Sequence, residues 1–283
     1  MKFTNNIINF QKIYLDSTNN LHINDLLNAM KSCYQIVKFT TFSYQKCEKN
    51  DSQMVLSRYR TGNCISFTYF IKNYLMKNFN AVSYIISASV PNVNKIEGTP
   101  HACHCALLVP LNIKEFAVIA GAFYFDSPMI CRTNNIKKVY NSYMCDIYSN
   151  SKIKVDYKLN FCNKRLIDKE FNQVLLPDTL CVQCKYSNNP EQHWNYYLNE
   201  VTNPDSSIGS HYLNNVNKDF LLYTIYDPIT NQVTLKTKIS RENEEYTKKN
   251  YPSQEVTSYN DLTQLYDELK NEHELFFIIK KLL

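Results

Sequence analysis

Three residues of this sequence have the types needed for nucleophilic catalysis: Cys64, His104 and Asp126. Cys64 ends the segment Arg60-Thr61-Gly62-Asn63-Cys64, in which Gly62 and Asn63 suit a tight turn. Beyond it, Ile65, Thr68, Tyr69, Lys72, Leu75, Met76 and Phe79 recur at helical spacing, which predicts a helix over 65–79. A thiol at such a junction meets free backbone N–H groups and the positive end of the helix dipole. These stabilise a thiolate, and thiol pKa values fall from about 8.5 to roughly 3.5–7.5 in such places. The plain alternative is a buried structural cysteine, because free Cys is among the most buried residue types.

His104 belongs to His101-Ala102-Cys103-His104-Cys105-Ala106-Leu107-Leu108-Val109, which reads as a strand closed by Pro110. Alternation places His104 on one face with Ala102, Ala106 and Leu108, so small neighbours leave room beside the imidazole. The next strand ends Phe123-Tyr124-Phe125-Asp126, before Ser127-Pro128. A carboxylate at the end of an apolar strand needs a partner, and a histidine on the adjacent strand would supply one. In this arrangement Cys64 attacks and His104 takes and returns the proton. Asp126 holds the imidazole in the right tautomer. His101 is the alternative base, although it lies in the loop before the strand. Asp126 could instead only start the turn before Pro128.

A metal reading competes. His101, Cys103, His104 and Cys105 are close in sequence, and Cys181-Val182-Gln183-Cys184 is followed by His193. Structural zinc prefers two well-spaced pairs, whereas neighbouring strand residues point to opposite faces. No metal is therefore expected, with Cys181 and Cys184 the ligands if one exists. Neither a Gly-rich phosphate loop nor a G-x-S-x-G elbow is present.

The elements that must position these residues follow from pattern. A helix is expected over 23–37, started by Asn24 or Asp25, with Leu26, Leu27, Met30, Cys33 and Tyr34 as its apolar stripe. Residues 46–52 read as a charged loop. Strands are expected over 82–90, 102–109 and 117–125. Three consecutive strands with short connections argue for an antiparallel sheet or small barrel. Further strands are expected near 139–147 and 152–159, a helix or strand over 166–176, and an aromatic segment over 194–198. A hairpin is expected from 220–226 and 232–239, and a helix over 260–271. The apolar end, 274–283, reads as a docked strand or helix rather than a membrane contact.

Composition narrows the function. The chain has 283 residues and a net charge of +5, without a concentrated basic block, so nucleic acid is not an expected partner. No stretch approaches a membrane span, and MKFTNNIINF carries no apolar signal run, so the ten cysteines are read as reduced thiols of a cytoplasmic protein. Glycine occurs four times, so each one marks a place that needs it.

These residues together resemble the arylamine N-acetyltransferase family. That family carries Arg-Gly-Gly-x-Cys at a helix start, to which Arg60-Thr61-Gly62-Asn63-Cys64 is similar. Its histidine heads a strand His-x-x-Leu-x-Val, matched by His104, Leu107 and Val109, and its aspartate closes the next strand as Asp126 does. Segment 26–42 is similar to the family's early helix and the region after it. Thr202-Asn203-Pro204-Asp205-Ser206-Ser207 is similar to its Ser/Thr-Ser-Pro-x-Ser segment. The resemblance implies an α+β fold with a helical N-terminal subdomain (1–80, carrying Cys64), an antiparallel β-barrel (81–190, carrying His104 and Asp126) and an α/β C-terminal lid (191–283). It implies acetyl-CoA as co-substrate, a small-molecule amine as acceptor, and ping-pong transfer through a Cys64 thioester. Thr61 stands where the family has its first glycine, and Ser127-Pro128-Met129-Ile130 replaces a Gly-containing turn. Transglutaminase-like and papain-like hydrolases share the Cys, His, Asp order, and a non-catalytic binding relative is the third reading.

Overall fold

A computed structural model describes residues 9–16, 19–41, 43–44, 47, 51–91, 104–122, 125–135, 140–145, 152–161, 166–168, 173–175, 179–186, 193–202, 204, 211–214, 220–227, 232–239 and 255–259. The expected helix over 260–271, the apolar end, His101, Cys103, Gly98 and Gly209 lie outside these residues. The fold is α+β. Helices α1 (Ile23–Ile36), α2 (Ser52–Tyr59) and α3 (Cys64–Phe79) accompany antiparallel sheets. The chain divides into two compact units. The first comprises Met1–Ile36, Cys64–Cys145 and Lys152–Asp205; the second comprises Val37–Asn63, Asp146–Ser151 and Ser206–Leu283.

The first unit is built on an eight-stranded sheet. Its strands are β1 (Tyr84–Ser89), β2 (His104–Asn112), β3 (Glu115–Ala120), β4 (Met129–Arg132), β5 (Tyr140–Cys145), β6 (Lys152–Phe161), β7 (Leu180–Tyr186) and β8 (His193–Glu200). They run in the order β4-β3-β2-β1-β8-β7-β6-β5, every pair antiparallel. The sheet curls until β6 meets β4, where the Ile130 N–H donates to the Tyr157 hydroxyl at 3.1 Å. The expected small barrel is therefore nearly closed.

Alternation explains what fills it. Ile86 and Ala88 of β1, Ala106 and Leu108 of β2, Phe116 and Val118 of β3, and Trp194 and Tyr196 of β8 share one core cluster. Within each strand the two are two residues apart, so one face of each of these four strands is apolar and buried. Burial of each large side chain is worth about 1.5–3 kcal/mol.

The helices begin and end where capping chemistry allows. Asp25 reaches back to accept the His22 N–H at 2.8 Å, half of a capping box at the start of α1. At the end of α3, Asn80 adopts φ 52, and the Ala81 N–H bonds the Leu75 carbonyl at 3.3 Å. Asn tolerates this left-handed cap better than most residues. In the amino-terminal segment Asn19 clamps two strand ends. Its amide donates to the Val82 and Pro110 carbonyls at 2.8 and 2.7 Å, and its oxygen accepts the Val82 N–H.

Three sequence expectations need correction. The strand from His104 does not stop at Pro110 but runs to Asn112, because a register shift between Pro110 and Asn112 absorbs the missing N–H. The third strand ends at Ala120 instead of Phe125, for a reason given below. In the second unit, α2 begins at Ser52, the last residue of the expected charged loop, and fills 53–59, where no element was expected. Asp51 caps it, accepting the Gln53 and Met54 N–H groups at 2.8 and 3.1 Å. Arg60 closes it at φ 52. The same unit holds a four-stranded antiparallel sheet that includes the expected hairpin, Phe220–Asp227 against Gln232–Ile239.

Candidate active site

Cys64 is the first residue of α3, and Gly62 precedes it at φ 151, a backbone that side chains disfavour. Just before it, the Tyr44 hydroxyl donates to Asn63 Oδ1 at 3.0 Å. His104 is the first residue of β2. It pairs across the ladder with Ala88 of β1, whereas the ladder to β3 begins only at Ala106 and Ala120. The ladder to β3 thus gives out beside Cys105, and Cys64 and Thr68 of α3 pack over Gly121 there. Cys64 and His104 are 9 % and 2 % exposed, so their pairing is shielded from bulk water.

Gly121 makes this approach possible. Its N–H bonds the Cys105 carbonyl at 3.0 Å. A Cβ there would stand 2.5 Å from the Cys64 carbonyl and 2.8 Å from the Cys105 carbonyl, and would strike the Thr68 hydroxyl. The chain must leave β3 at this point because α3 lies where a side chain would go. Gly62 and Gly121 thus both mark places that require glycine.

The structure brings Cys64 and His104 together, close enough for the imidazole to act on the Cys64 thiol. It also adds a neighbour that sequence reasoning missed. Cys105 also acts on the Cys64 thiol, and Cys105 Sγ lies 3.2 Å from the Thr68 hydroxyl, which donates to the Cys64 carbonyl at 2.8 Å. The expected lowering of the Cys64 pKa is reversed. The Cys105 hydrogen bond pushes it up most, burial adds to this, and the His104 hydrogen bond and charge pull it down; the direction is well upward. The helix start favours an anion, but a dry site with a second thiol opposes it more strongly. Burial and the second thiol therefore favour the neutral form of Cys64.

Asp126 lies in the bend before β4, partly buried. The Tyr34 hydroxyl of α1 holds the segment leading to it, 3.0 Å from the Ala122 carbonyl and 3.3 Å from that of Phe125. The Phe125 ring packs on Trp194 and Tyr196, with centroids 5.3 and 6.2 Å away. The His104 ring packs on the same Tyr196 at 6.0 Å. Asp126 is thus anchored through its chain neighbour to the ring that also seats His104. Pro128, which follows it, is buried.

The remaining sequence candidates separate. Cys184 points into the core cluster, with its Sγ 3.1 Å from Met129 Sδ, and burial pushes its pKa well up. Cys181 and Cys184 lie on β7, where apolar packing surrounds Cys184. Among the described residues, no group of three or more His, Cys, Asp or Glu could hold a metal ion. No helix among them is long and apolar enough to cross a membrane.

No protein-family profile matches the chain, and no curated protein matches it. Solved structures do. An arylamine N-acetyltransferase from Bacillus cereus, described as having a unique Cys-His-Glu catalytic triad, is 13 % identical at a TM-score of 0.44, covering 96 % of this chain and 98 % of that one. Arylamine N-acetyltransferase C from Bacillus anthracis is 10 % identical at 0.44, covering 98 % and 99 %. An arylamine N-acetyltransferase from Mycobacterium abscessus is 12 % identical at 0.39, covering 96 % and 88 %.

Proposed function

We propose that the chain is an acyltransferase that moves an acetyl group from acetyl-CoA to a small amine through a thioester on Cys64. The observation that carries this reading is the buried Cys64 thiol at the first residue of a helix, with the buried His104 imidazole acting on it. His104 takes the thiol proton as Cys64 Sγ attacks the acyl carbon, then returns it to the departing CoA thiol. In the second half-reaction it accepts a proton from the attacking amine. Asp126 orients the imidazole and stabilises its cation, as in triads generally. The resemblance of Arg60–Cys64 and His104–Val109 to the acetyltransferase motifs supports the choice of donor and acceptor. A neutral resting thiol suits this chemistry, because the thiolate then forms only when His104 takes the proton.

A thiol–imidazole pair also serves cysteine hydrolases, so the donor is the quantity to test. Intact-mass analysis after incubation with acetyl-CoA should show a gain of about 42 Da, as expected for acetylation of a nucleophile. Cys64→Ala should show none. No adduct with acetyl-CoA or longer acyl-CoAs, together with Cys64 labelling by a peptide or ubiquitin electrophile, would overturn the acyltransferase reading in favour of a hydrolase.

A further inference from the structure

The mechanism above uses one thiol, but the site holds two. Cys105 sits one residue beyond His104 on β2, fully buried. The Thr68 hydroxyl bridges its Sγ, at 3.2 Å, to the Cys64 carbonyl, at 2.8 Å, and its side chain acts on the Cys64 thiol. The Cys64 and Cys105 carbonyls also flank one point above Gly121, at 2.5 and 2.8 Å, so the two backbones approach each other as well. Across the ladder Cys105 pairs with Ser87, whose buried hydroxyl has no hydrogen-bond partner among the described residues. Both cysteines are free thiols in this state.

We propose that Cys105 is a resolving thiol that captures oxidised Cys64 as an intramolecular Cys64–Cys105 disulfide, a reversible modification that protects the nucleophile. The oxidant is hydrogen peroxide. His104 takes the Cys64 proton, and the thiolate attacks one peroxide oxygen. An S–O bond forms and the O–O bond breaks, leaving Cys64 sulfenic acid and water. Cys105 Sγ then attacks the Cys64 sulfur. An S–S bond forms, the S–O bond breaks, and the hydroxyl leaves as a second water after taking the Cys105 proton. Two thiols are oxidised and one peroxide is reduced to two waters. With its own hydrogen on the Cys64 carbonyl, the Thr68 oxygen is placed to accept from the Cys105 S–H, and Ser87 lies beside it. Without Cys105 the sulfenic acid would proceed to the irreversible sulfinic form.

The inference rests on Cys64 as the nucleophile, not on the donor being acetyl-CoA. The test exposes the full-length protein to hydrogen peroxide and reads intact mass and peptide maps. The wild type should become about 2 Da lighter, with Cys64 and Cys105 in one cross-linked species that dithiothreitol reverses. Cys105→Ser and Cys105→Ala should instead gain about 32 Da at Cys64, which dithiothreitol does not reverse. A wild-type protein that gains the same oxygens, or forms a disulfide without Cys105, would overturn the proposal. Because the readout is mass, it stands even if no acyl-CoA labels Cys64; failure of labelling sinks only the acyltransferase reading.

Discussion

Gly121→Ala tests the geometry of the site without removing any chemical group. Its added methyl would lie 2.5 and 2.8 Å from two backbone carbonyls, both held by regular structure, and against the Thr68 hydroxyl. Thr68 can rotate, but only by breaking its bonds to the Cys64 carbonyl and Cys105 Sγ. The carbonyls cannot move without shifting the first turn of α3 away from β2. Overpacking of a tight core costs about 1–3 kcal/mol, and the two backbone contacts place this substitution at the upper end. At roughly 2–4 °C per kcal/mol for a chain of this size class, the melting temperature should drop by several degrees. The same shift separates Cys64 from His104, so iodoacetamide labelling of Cys64 should change its pH dependence. Differential scanning fluorimetry and labelling kinetics measure both. An unchanged melting temperature together with an unchanged labelling profile would refute the argument that α3 and β2 meet across this glycine.

Buried thiols set an alkaline limit on stability. The Cys33, Cys64, Cys131 and Cys184 pKa values are all raised in the folded protein, chiefly by burial for three of them and by the Cys105 hydrogen bond for Cys64. A raised pKa means that the folded state holds its proton more tightly. The stability so contributed is full below the unfolded thiol pKa of about 8.5 and is lost as pH rises above it. Urea midpoints should therefore fall between pH 8 and 10 by more in the wild type than in a Cys131→Ala variant; equal slopes would contradict this. Tyr34→Phe removes the hydroxyl beside the Ala122 and Phe125 carbonyls. It should cost about 1 kcal/mol and lower kcat more than it raises KM, through the placement of Asp126; unaltered kinetics would count against that role. Asp51→Ala should destabilise the second unit by about 1 kcal/mol through loss of the α2 cap, and unfolding curves that overlay the wild type would exclude it.

Much of the fold was legible because the period changed where the structure changes. Helical spacing after Cys64 and alternation from Tyr84 onward marked α3 and β1 to within a few residues. The β7 strand with Cys181 and Cys184 was hidden behind a metal-like spacing. Helix α2 was missed because it is short and its signal is mainly the Asp51 cap. Cys64 and His104 were singled out by residue type, and their meeting in the structure needed only a helix packed on a strand. Cys105 was missed because alternation sends it to the other face from His104. What pattern could not show is that the start of α3 packs at the start of β2, where Cys64 is near both residues. The same omission led to a lowered thiol pKa, since helix-end electrostatics were visible in the sequence and the second thiol's place was not. Gly121 did leave a trace, as one of only four glycines in the chain.

The central claim is that Cys64 accepts an acyl group with His104 as its base. The direct measurement is peptide mapping of the full-length protein after acetyl-CoA, followed by single-turnover discharge with an arylamine. The account predicts acetate on Cys64 alone, its release on adding the amine with stoichiometric amide formed, and loss of both steps in His104→Gln. Acetate on a different residue, or a Cys64 that loads and discharges normally without His104, would contradict it.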